Sequence, residues 1–237
     1  MKPAEFDRHA ADYDGGLDNP IKRLMGNSQD QFIAVKARWL LRREPALAEG
    51  GLELLDYGCG TADLMRVLAG LGARAAFTGC DVSTGMLAEV EKRWPAALGP
   101  APAIAVQDGA STPFESGRFD IVTISAVLHH VPPAERAAVY GELARVLKPG
   151  GRLYVFEHNP RNPLVRYVIA RTPIDANAIL LDEKEVRHGL LDSAHYDIHA
   201  DYLMFMPPGI AALRGVDRLL AWLPLGAQYV VAARKTA

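Results

Sequence analysis

The chain has 237 residues, of which 49% are hydrophobic and 23% are charged, and its formal net charge is −2. This composition is typical of one large α/β domain, with or without a small cap. The charge argues against a general nucleic-acid-binding protein, which is usually strongly basic. Cys59 and Cys80 provide neither a disulfide framework nor zinc-ligand spacing. Because the sequence lacks an apolar signal-peptide core and an apolar run of membrane-spanning length, we expect a cytoplasmic protein without stable membrane insertion.

Residues 1–27 are predicted to form an irregular or loosely helical N-terminal arm. The arm contains the aromatic residues Phe6 and Tyr13 in a polar, glycine-containing stretch that cannot form a core of its own. It is either a loose terminus or a lid that orders over a bound ligand. The main domain is predicted to cover residues 28–237, and it begins with a helix that ends near Pro45.

The next segment predicts a strand, a glycine turn and a helix. Leucines precede Asp56, and Gly58 and Gly60 allow a sharp turn and a close approach of the backbone to a ligand. Thr61 is a candidate cap for the helix that follows. A dinucleotide fingerprint is disfavoured because Asp63 occupies the position where a small residue is needed. A tight turn without a ligand stays open as an alternative.

Apolar strands then alternate with helices. Predicted strands after the glycine turn cover residues 75–80, 104–107, 119–125 and 153–156. This alternation is typical of a doubly wound, mainly parallel sheet with helices on both faces. Ligands of such sheets bind beyond the carboxyl ends of the strands. That edge should therefore present Gly58, Asp81, Asp108, Ser125 and Glu157.

The alternation is interrupted after the fifth strand. Residues 159–195 predict two helices rather than a strand, and we expect this insert to cap the pocket and to hold substrate. A sixth strand over residues 196–206, a helix over residues 210–223 and a last strand over residues 227–233 complete the chain.

Taken together, these motifs resemble class I S-adenosylmethionine-dependent methyltransferases over roughly residues 28–237. The resemblance rests on the glycine turn and on the motifs Gly79-Cys80-Asp81-Val82-Ser83, Phe119-Asp120, His129-His130-Val131 and Leu147-Lys148-Pro149-Gly150-Gly151. The subgroup looks like small-molecule methyltransferases related to those of quinone biosynthesis. The resemblance implies a Rossmann-like, seven-stranded sheet whose last strand is antiparallel and lies beside the fifth.

The resemblance also implies which residues bind the cofactor, S-adenosyl-L-methionine. The glycine turn and Asp56 would contact or orient its methionine end, Asp81 would accept from the ribose hydroxyls, and Met86 would pack on the adenine. The candidate cofactor-binding residues are Asp56, Gly58, Cys59, Gly60, Asp81, Val82, Met86, Asp108, Gly109, Ala110, Ser125 and Ala126, with Tyr13 near the methionine end. Capping is the structural alternative for Asp81, and a turn is the alternative for Asp108.

The implied reaction is an in-line methyl transfer to a small-molecule acceptor. Candidate catalytic residues are His130, His129, Glu157 and His158, although the histidine pair could instead be structural. Glu157 and His158 should point to opposite faces of their strand. We expect no metal, because Ser125 and a lone Glu157 do not supply acidic ligands at the ends of the fourth and fifth strands. The sequence leaves open the accepting atom (O, N or C) and the oligomeric state. The rival functions are a non-catalytic domain that binds cofactor or a partner and, less favoured, an NAD-dependent oxidoreductase.

Overall fold

The computed structural model describes residue 7, residues 29–206 and residues 214–236. Most of the predicted arm, including Phe6 and Tyr13, lies outside the described residues. Within the described residues the strands are β1 (Glu53–Tyr57), β2 (Ala76–Asp81), β3 (Ala103–Val106), β4 (Phe119–Ser125), β5 (Leu147–His158), β6 (Tyr196–Leu203) and β7 (Gln228–Lys235). The helices are α1 (Gln29–Arg43), α2 (Asp63–Gly70), α3 (Thr84–Arg93), α4 (Arg136–Val146), α5 (Pro163–Ile169), α6 (Glu183–Ser193) and α7 (Arg214–Leu220).

The strands form one sheet in the order β3-β2-β1-β4-β5-β7-β6. The pairs β2–β3, β1–β2, β1–β4 and β4–β5 are parallel, whereas β7 runs antiparallel to both β5 and β6. The predicted sheet is therefore confirmed, including the antiparallel last strand beside the fifth. The strand order reverses between β1 and β4, which is the position where ligands bind in open α/β sheets.

Buried apolar side chains cover both faces of the sheet. On one face, Tyr57 and Val122 pack with Leu143 of α4 and Leu190 of α6. On the other face, Leu54, Ile121 and Phe156 pack with Leu40 of α1 and Leu68 of α2. Successive residues of a strand alternate between the two faces, which is why Leu54 and Leu55 contribute to different clusters.

Several element boundaries differ from the sequence-based predictions. The fifth strand is predicted over residues 153–156, but β5 already begins at Leu147, which pairs with Phe119 before a register shift. β6 ends at Leu203 rather than at residue 206, and α7 ends at Leu220 rather than at residue 223. Residues 210–213 of the predicted helix lie outside the described residues. The insert has the two predicted helices, α5 and α6, whose N-caps are Asn162 and Asp182. None of the described helices is both long and apolar enough to cross a bilayer.

Candidate active site

A cavity of about 250 Å³ lies at the carboxyl ends of β1, β2 and β4. We call one side of it the cofactor half, which consists of the glycine turn (Gly58–Gly60), Asp56, Asp81, Met86 and Ser125. We call the other side the acceptor half, which consists of His129, His130, His158 and the insert residues 164–175. Both halves line the same cavity.

The glycine turn has the backbone geometry that its sequence predicts. Gly58 and Gly60 have φ values of +72° and +53°, a backbone conformation that disfavours residues with a Cβ. A Cβ on Gly58 would lie 2.5 Å from Cγ2 of Val127, so the turn also needs glycine for packing. Thr61, in contrast, is not the predicted helix cap. The N-cap is Ala62, and the Thr61 hydroxyl donates to Oδ2 of Asp63 at 2.8 Å.

Asp81 is the last residue of β2, and its carboxylate bonds to the glycine turn. Its Oδ2 accepts from the Gly60 N–H at 2.8 Å, and its Oδ1 accepts from the Ser83 N–H at 2.9 Å. Ser83 is the N-cap of α3, so capping, the structural alternative considered for Asp81, belongs to Ser83. Burial raises the pKa of Asp81. Because a carboxylate has about four acceptor positions, Asp81 can still accept from further donors in the cavity.

Asp56 is buried at the end of β1 and lines the cavity. Burial raises its pKa to about 7, although Thr123, whose hydroxyl donates to Oδ1 at 2.8 Å, and the charge of Lys36 both act to lower it. Lys36 also lines the cavity, and its Nζ donates to Oγ of Ser125 at 2.9 Å. The Lys36 ammonium and the Asp56 carboxyl, which titrates near neutral pH, therefore interact electrostatically at the edge of the cofactor half.

The structure brings most of the predicted cofactor-binding residues to the cavity. Its described lining includes Asp56, Gly58, Cys59, Gly60, Asp81, Met86, Ser125 and Ala126. Met86 is buried at 2% exposure. Ala126 has a φ of +58°, which is uncommon for a residue with a Cβ and shows that the backbone bends sharply after β4.

Four predicted residues, Val82, Asp108, Gly109 and Ala110, are not in the described lining of this cavity. The Asp108 carboxylate accepts from the N–H groups of Ala110 and Ser111 and from the Ser111 hydroxyl. These hydrogen bonds, led by the one from the hydroxyl, lower its pKa to about 2. In this structure Asp108 therefore stabilises its own turn, as short acidic side chains commonly do. The predicted adenine contacts of these residues stay predictions.

In the acceptor half, His129 forms a buried pair with Glu157. Nδ1 of His129 lies 2.6 Å from Oε2 of Glu157, and Oε1 of Glu157 accepts from the N–H groups of Val127 and Leu128. Burial alone would lower the pKa of His129, but the Glu157 charge raises it to about 9. Burial would likewise raise the pKa of Glu157, but His129 lowers it to about 2. Both groups are therefore charged at neutral pH.

The two neighbouring residues at the end of β5 have different surroundings. His158 lines the cavity, whereas Glu157 is not in its described lining, as the alternation of a strand predicts. The ring of His158 lies 5.1 Å from that of His129, between centroids. Burial, followed by the positive charge of His129, lowers the pKa of His158 to about 3. His158 is therefore a neutral and weak base at neutral pH.

The insert contributes an acidic residue that the sequence analysis does not single out. Asp175 lines the cavity, and its Oδ1 lies 3.5 Å from Nε2 of His129 and 3.4 Å from Nε2 of His130. Burial alone would raise the pKa of Asp175, but its contacts with the two histidines hold it well below the usual range. Apolar insert residues, among them Val165 and Ile169, line the same side of the cavity.

Comparison with known proteins identifies the family to which this chain belongs. Residues 54–151 match a family described as a methyltransferase domain. A demethylmenaquinone methyltransferase of Mycolicibacterium vanbaalenii is 36% identical over 180 residues, which cover 73% of this chain and 70% of that protein. The chain belongs to the class I S-adenosylmethionine-dependent methyltransferase family. The predicted family is therefore confirmed, and with it the cofactor of the family.

Other relatives of this chain are matched over a smaller share of their length. A demethylmenaquinone methyltransferase of Beutenbergia cavernae is 35% identical over 158 residues, which cover 66% of this chain and 62% of the relative. The chain thus spans less than two thirds of that protein. The solved structure of magnesium protoporphyrin IX methyltransferase from Synechocystis PCC 6803, with bound S-adenosylhomocysteine, has a TM-score of 0.67 at 23% identity and covers 98% of this chain and 95% of that one. At this identity the likeness supports the fold alone.

The cofactor half of the cavity fits the cofactor of the family. Asp81 retains acceptor capacity for hydroxyl groups, and a Cβ built on Gly60 would meet no atom within 4 Å, so the backbone there is open to a ligand. Met86 offers an apolar surface in the same cavity. A partly charged, partly apolar nucleoside derivative needs this combination of donors, acceptors and apolar contacts.

The sequence offers a signal from which Lys36 could have been identified as a residue of the site, but none for Asp175. Lys36 lies on the apolar face of α1, at helical spacing from Phe32 and Leu40, and a buried lysine in such a stripe is unusual. Asp175 is the last residue of a short 3₁₀ helix that begins at Pro173 and is preceded by Thr172. Such a local sequence is common on protein surfaces. Only the folding of the insert brings it to His130.

Proposed function

We propose that this methyltransferase transfers a methyl group from S-adenosylmethionine to a small, largely apolar acceptor bound between the cofactor half and the insert. The observation that supports this proposal best is that one cavity is lined by both the glycine turn and the insert. A domain that only bound the cofactor would not need a second, apolar and titratable wall next to it.

We infer further that the acceptor is a reduced quinone or a similar hydroxylated ring. Several relatives are named demethylmenaquinone methyltransferases, and the insert offers apolar side chains such as Val165, Val168 and Ile169 to a ring. The hydroxyl groups of such a ring would face the polar residues His130 and Asp175.

When bound, the cofactor supplies an electrophilic methyl group on a sulfonium. In our proposal, Asp81 and the glycine turn hold its nucleoside and methionine parts, and Asp56 favours its positive charge. The insert and Ala126 exclude water around the acceptor. Holding the reactants in line can contribute roughly 7–11 kcal/mol to the lowering of the barrier.

The predicted catalytic residues divide into two groups in this proposal. His129 and Glu157 form a fixed ion pair that orients the acceptor half, because neither has a free proton-accepting role at neutral pH. His158, with a pKa of about 3, is too weak a base to deprotonate a hydroxyl efficiently. His130 is left as the predicted residue that can face the acceptor hydroxyl, with Asp175 beside it.

The proposed boundaries and surroundings follow the sequence analysis. Residues 28–237 are assigned to the methyltransferase domain, residues 159–195 to the substrate-capping insert, and residues 1–27 to an arm over the cofactor. The net charge of −2 gives no support for nucleic acid as a partner. We also propose a cytoplasmic location.

Product detection tests the proposal. The purified chain is incubated with methyl-labelled cofactor and a panel of reduced benzo- and naphthoquinols, and methylated products are identified by mass spectrometry. We expect label transfer to at least one quinol and its loss in the Asp81→Ala variant. Binding of S-adenosylhomocysteine without any transfer, in a panel that also contains amine and carboxylate acceptors, would instead support the non-catalytic binding domain. Binding of NAD but not of S-adenosylhomocysteine would support the oxidoreductase alternative.

A further inference from the structure

Three potential metal ligands come together in the acceptor half. His129, His130 and Asp175 each direct one ligand atom to a common region, and these atoms all lie within 4.8 Å of one another. All three residues line the cavity. They come from two short 3₁₀ helices, Leu128–His130 and Pro173–Asp175, that are more than 40 residues apart in sequence.

The distances within this cluster match ligands of one ion better than hydrogen bonds. Oδ1 of Asp175 lies 3.5 Å from Nε2 of His129 and 3.4 Å from Nε2 of His130. A protein N–H···O hydrogen bond usually measures about 2.7–3.2 Å. Neighbouring ligand atoms of a tetrahedral ion with bonds of about 2.05 Å are about 3.3 Å apart. The two distances from Asp175 to the histidines therefore have nearly the spacing of a coordination sphere, and the ligand atoms of the two histidines lie within 4.8 Å of each other.

A second observation concerns Nε2 of His129. This atom is buried and has no hydrogen-bond partner among the described residues. The other ring nitrogen, Nδ1, is paired with Glu157, which in turn accepts from the Val127 and Leu128 N–H groups. A carboxylate on the remote nitrogen is the arrangement that orients metal-bound histidines in proteins. The orphaned nitrogen thus points into the cluster from a ring whose orientation is fixed.

The backbone around the cluster is held in place by further hydrogen bonds. The Ile179 N–H donates to the carbonyl oxygen of His129 at 2.7 Å, and Nη2 of Arg136 donates to the carbonyl oxygen of Ile179 at 2.6 Å. These bonds attach the middle of the insert, at Ile179, to the loop after β4 and to the first residue of α4. The three ligand residues are therefore arranged before an ion binds.

We propose that His129, His130 and Asp175 bind one divalent transition-metal ion of the zinc class through Nε2 of each histidine and a carboxylate oxygen. The His129 ring, which is charged in the metal-free chain, releases its Nε2 proton to solvent when the ion binds and keeps Nδ1–H on Glu157. Two imidazoles and one carboxylate suit Zn²⁺, whereas Mg²⁺ prefers oxygen ligands. Three protein ligands leave a coordination position for a molecule in the cavity. The expectation of no metal considered acidic ligands only at the ends of β4 and β5, and Asp175 comes from the insert instead.

The open position gives the ion a role that rests on the proposed function. A hydroxyl oxygen of the acceptor binds there, the ion lowers the hydroxyl pKa, and the proton leaves to solvent. The acceptor is then a better nucleophile: the bond from its oxygen or ring carbon to the methyl carbon forms as the bond between that methyl carbon and the cofactor sulfur breaks, and S-adenosylhomocysteine leaves. Where the new bond is to a ring carbon, the proton on that carbon also leaves to solvent. No electron is transferred, and the ion is unchanged at the end of the reaction.

Metal binding is tested without reference to activity. The intact chain is treated with chelator, dialysed and titrated with Zn²⁺ by calorimetry, and bound zinc is quantified by mass spectrometry. We expect one equivalent of zinc per chain and no binding of Mg²⁺. Asp175→Asn and His130→Gln should each weaken zinc binding at least about tenfold, and Glu157→Gln, which alters the carboxylate behind His129, should weaken it about 10–100-fold.

A matched control removes a histidine elsewhere. His199 is exposed on β6 and pairs with Asp201, so His199→Gln should bind zinc like the wild type. Binding of S-adenosylhomocysteine by each variant shows that it is folded. Failure of the chelator-treated chain to take up zinc, or equal zinc affinity in the His199, Asp175 and His130 variants, would overturn the proposal.

These experiments distinguish an error in the proposed metal site from an error in the proposed function. Zinc binding that depends on Asp175, with no methyl transfer to any acceptor, would support the site and refute the methyl transfer. Methyl transfer by a chelator-treated chain that takes up no zinc would refute the site, and would leave His130 and Asp175 as a metal-free proton-accepting pair.

Discussion

The cofactor half and the acceptor half of the cavity are held together by different kinds of contact. In the cofactor half, the Asp81 carboxylate accepts from backbone N–H groups of the neighbouring turns, and glycine conformations shape the loop. In the acceptor half, side chains that are far apart in sequence pair with each other, such as His129 with Glu157 and His130 with Asp175. The first arrangement suits a ligand shared by a whole family, because it depends on backbone. The second depends on particular side chains, so it can change with the acceptor.

The comparison predicts that the largest loss of stability comes from the acceptor half. In the metal-free protein, Glu157→Ala leaves the His129 charge and the Val127 and Leu128 N–H groups buried without their partner. Breaking a buried ion pair in this way typically costs about 3–5 kcal/mol. We expect a decrease of that size in the free energy of unfolding, measured by urea denaturation monitored by circular dichroism.

The loss of stability in Glu157→Ala is compared with that in two other variants. Glu157→Gln keeps an acceptor for the N–H groups and should lose less stability than Glu157→Ala. Asp81→Ala changes a carboxylate at the cavity edge and should also cost less. If the unfolding free energies of Glu157→Ala and the wild type were equal, the ion pair would not stabilise the acceptor half.

The next largest effect should be on cofactor affinity and should come from the cofactor half. Asp81→Ala removes the carboxylate that we assign to the ribose hydroxyls, and hydrogen bonds to charged groups contribute about 1.5–3 kcal/mol. Calorimetry with S-adenosylhomocysteine should therefore show a roughly 10–150-fold higher Kd. An unchanged Kd in a folded variant would refute the ribose role of Asp81.

The two halves also differ in how well the sequence predicts them. The sheet, the glycine turn, the Ser83 cap and the placement of Asp81 could be predicted, because strand periodicity, glycine conformation and capping act over a few residues. The pairing of His130 with Asp175 could not be predicted, because it depends on how the insert packs against the loop after β4. The adenine role of Asp108 rests on the family resemblance alone: in the structure its carboxylate accepts from the N–H groups of Ala110 and Ser111, and the role stays a prediction.

A smaller effect should appear in the pH dependence of cofactor binding. The pKa of Asp56 is raised to about 7 by burial, so its carboxyl is mostly protonated below pH 7 and ionised above it. An ionised carboxylate attracts the positive charge of S-adenosylmethionine. Affinity should therefore rise with pH, and since the ionised fraction grows from about 10% at pH 6 to about 90% at pH 8, the Kd should fall about tenfold.

Asp56→Asn is the matched control for this pH dependence. It keeps the shape of the side chain but cannot ionise, so its Kd should change little between pH 6 and pH 8. An equally steep pH dependence in the variant would show that another group causes it. Calorimetry in two buffers of different ionisation enthalpy also measures the proton released on binding, which should be lost in the variant.

The smallest effect should come from Asp7, the described residue of the predicted arm. Its Oδ1 accepts from the Ser83 hydroxyl at 2.6 Å and from the Gly85 N–H at 3.1 Å. Asp7 thus lies at the N-terminus of α3, beside the loop that holds Asp81, where a negative charge is favourable. Because Asp7 is exposed, solvent and salt screen this charge.

We therefore expect Asp7→Ala to raise the Kd for S-adenosylhomocysteine less than about fivefold, and less still at high salt. Asp7→Asn keeps an acceptor oxygen, so its Kd should lie between those of Asp7→Ala and the wild type. A loss as large as that of Asp81→Ala would mean that the arm is an integral part of the cofactor half, which would break the comparison. We also predict that residues 1–27 close over the cofactor, with Tyr13 near its methionine end. Hydrogen exchange of the arm with and without S-adenosylhomocysteine tests this prediction. Equal protection in both states would rule out the lid.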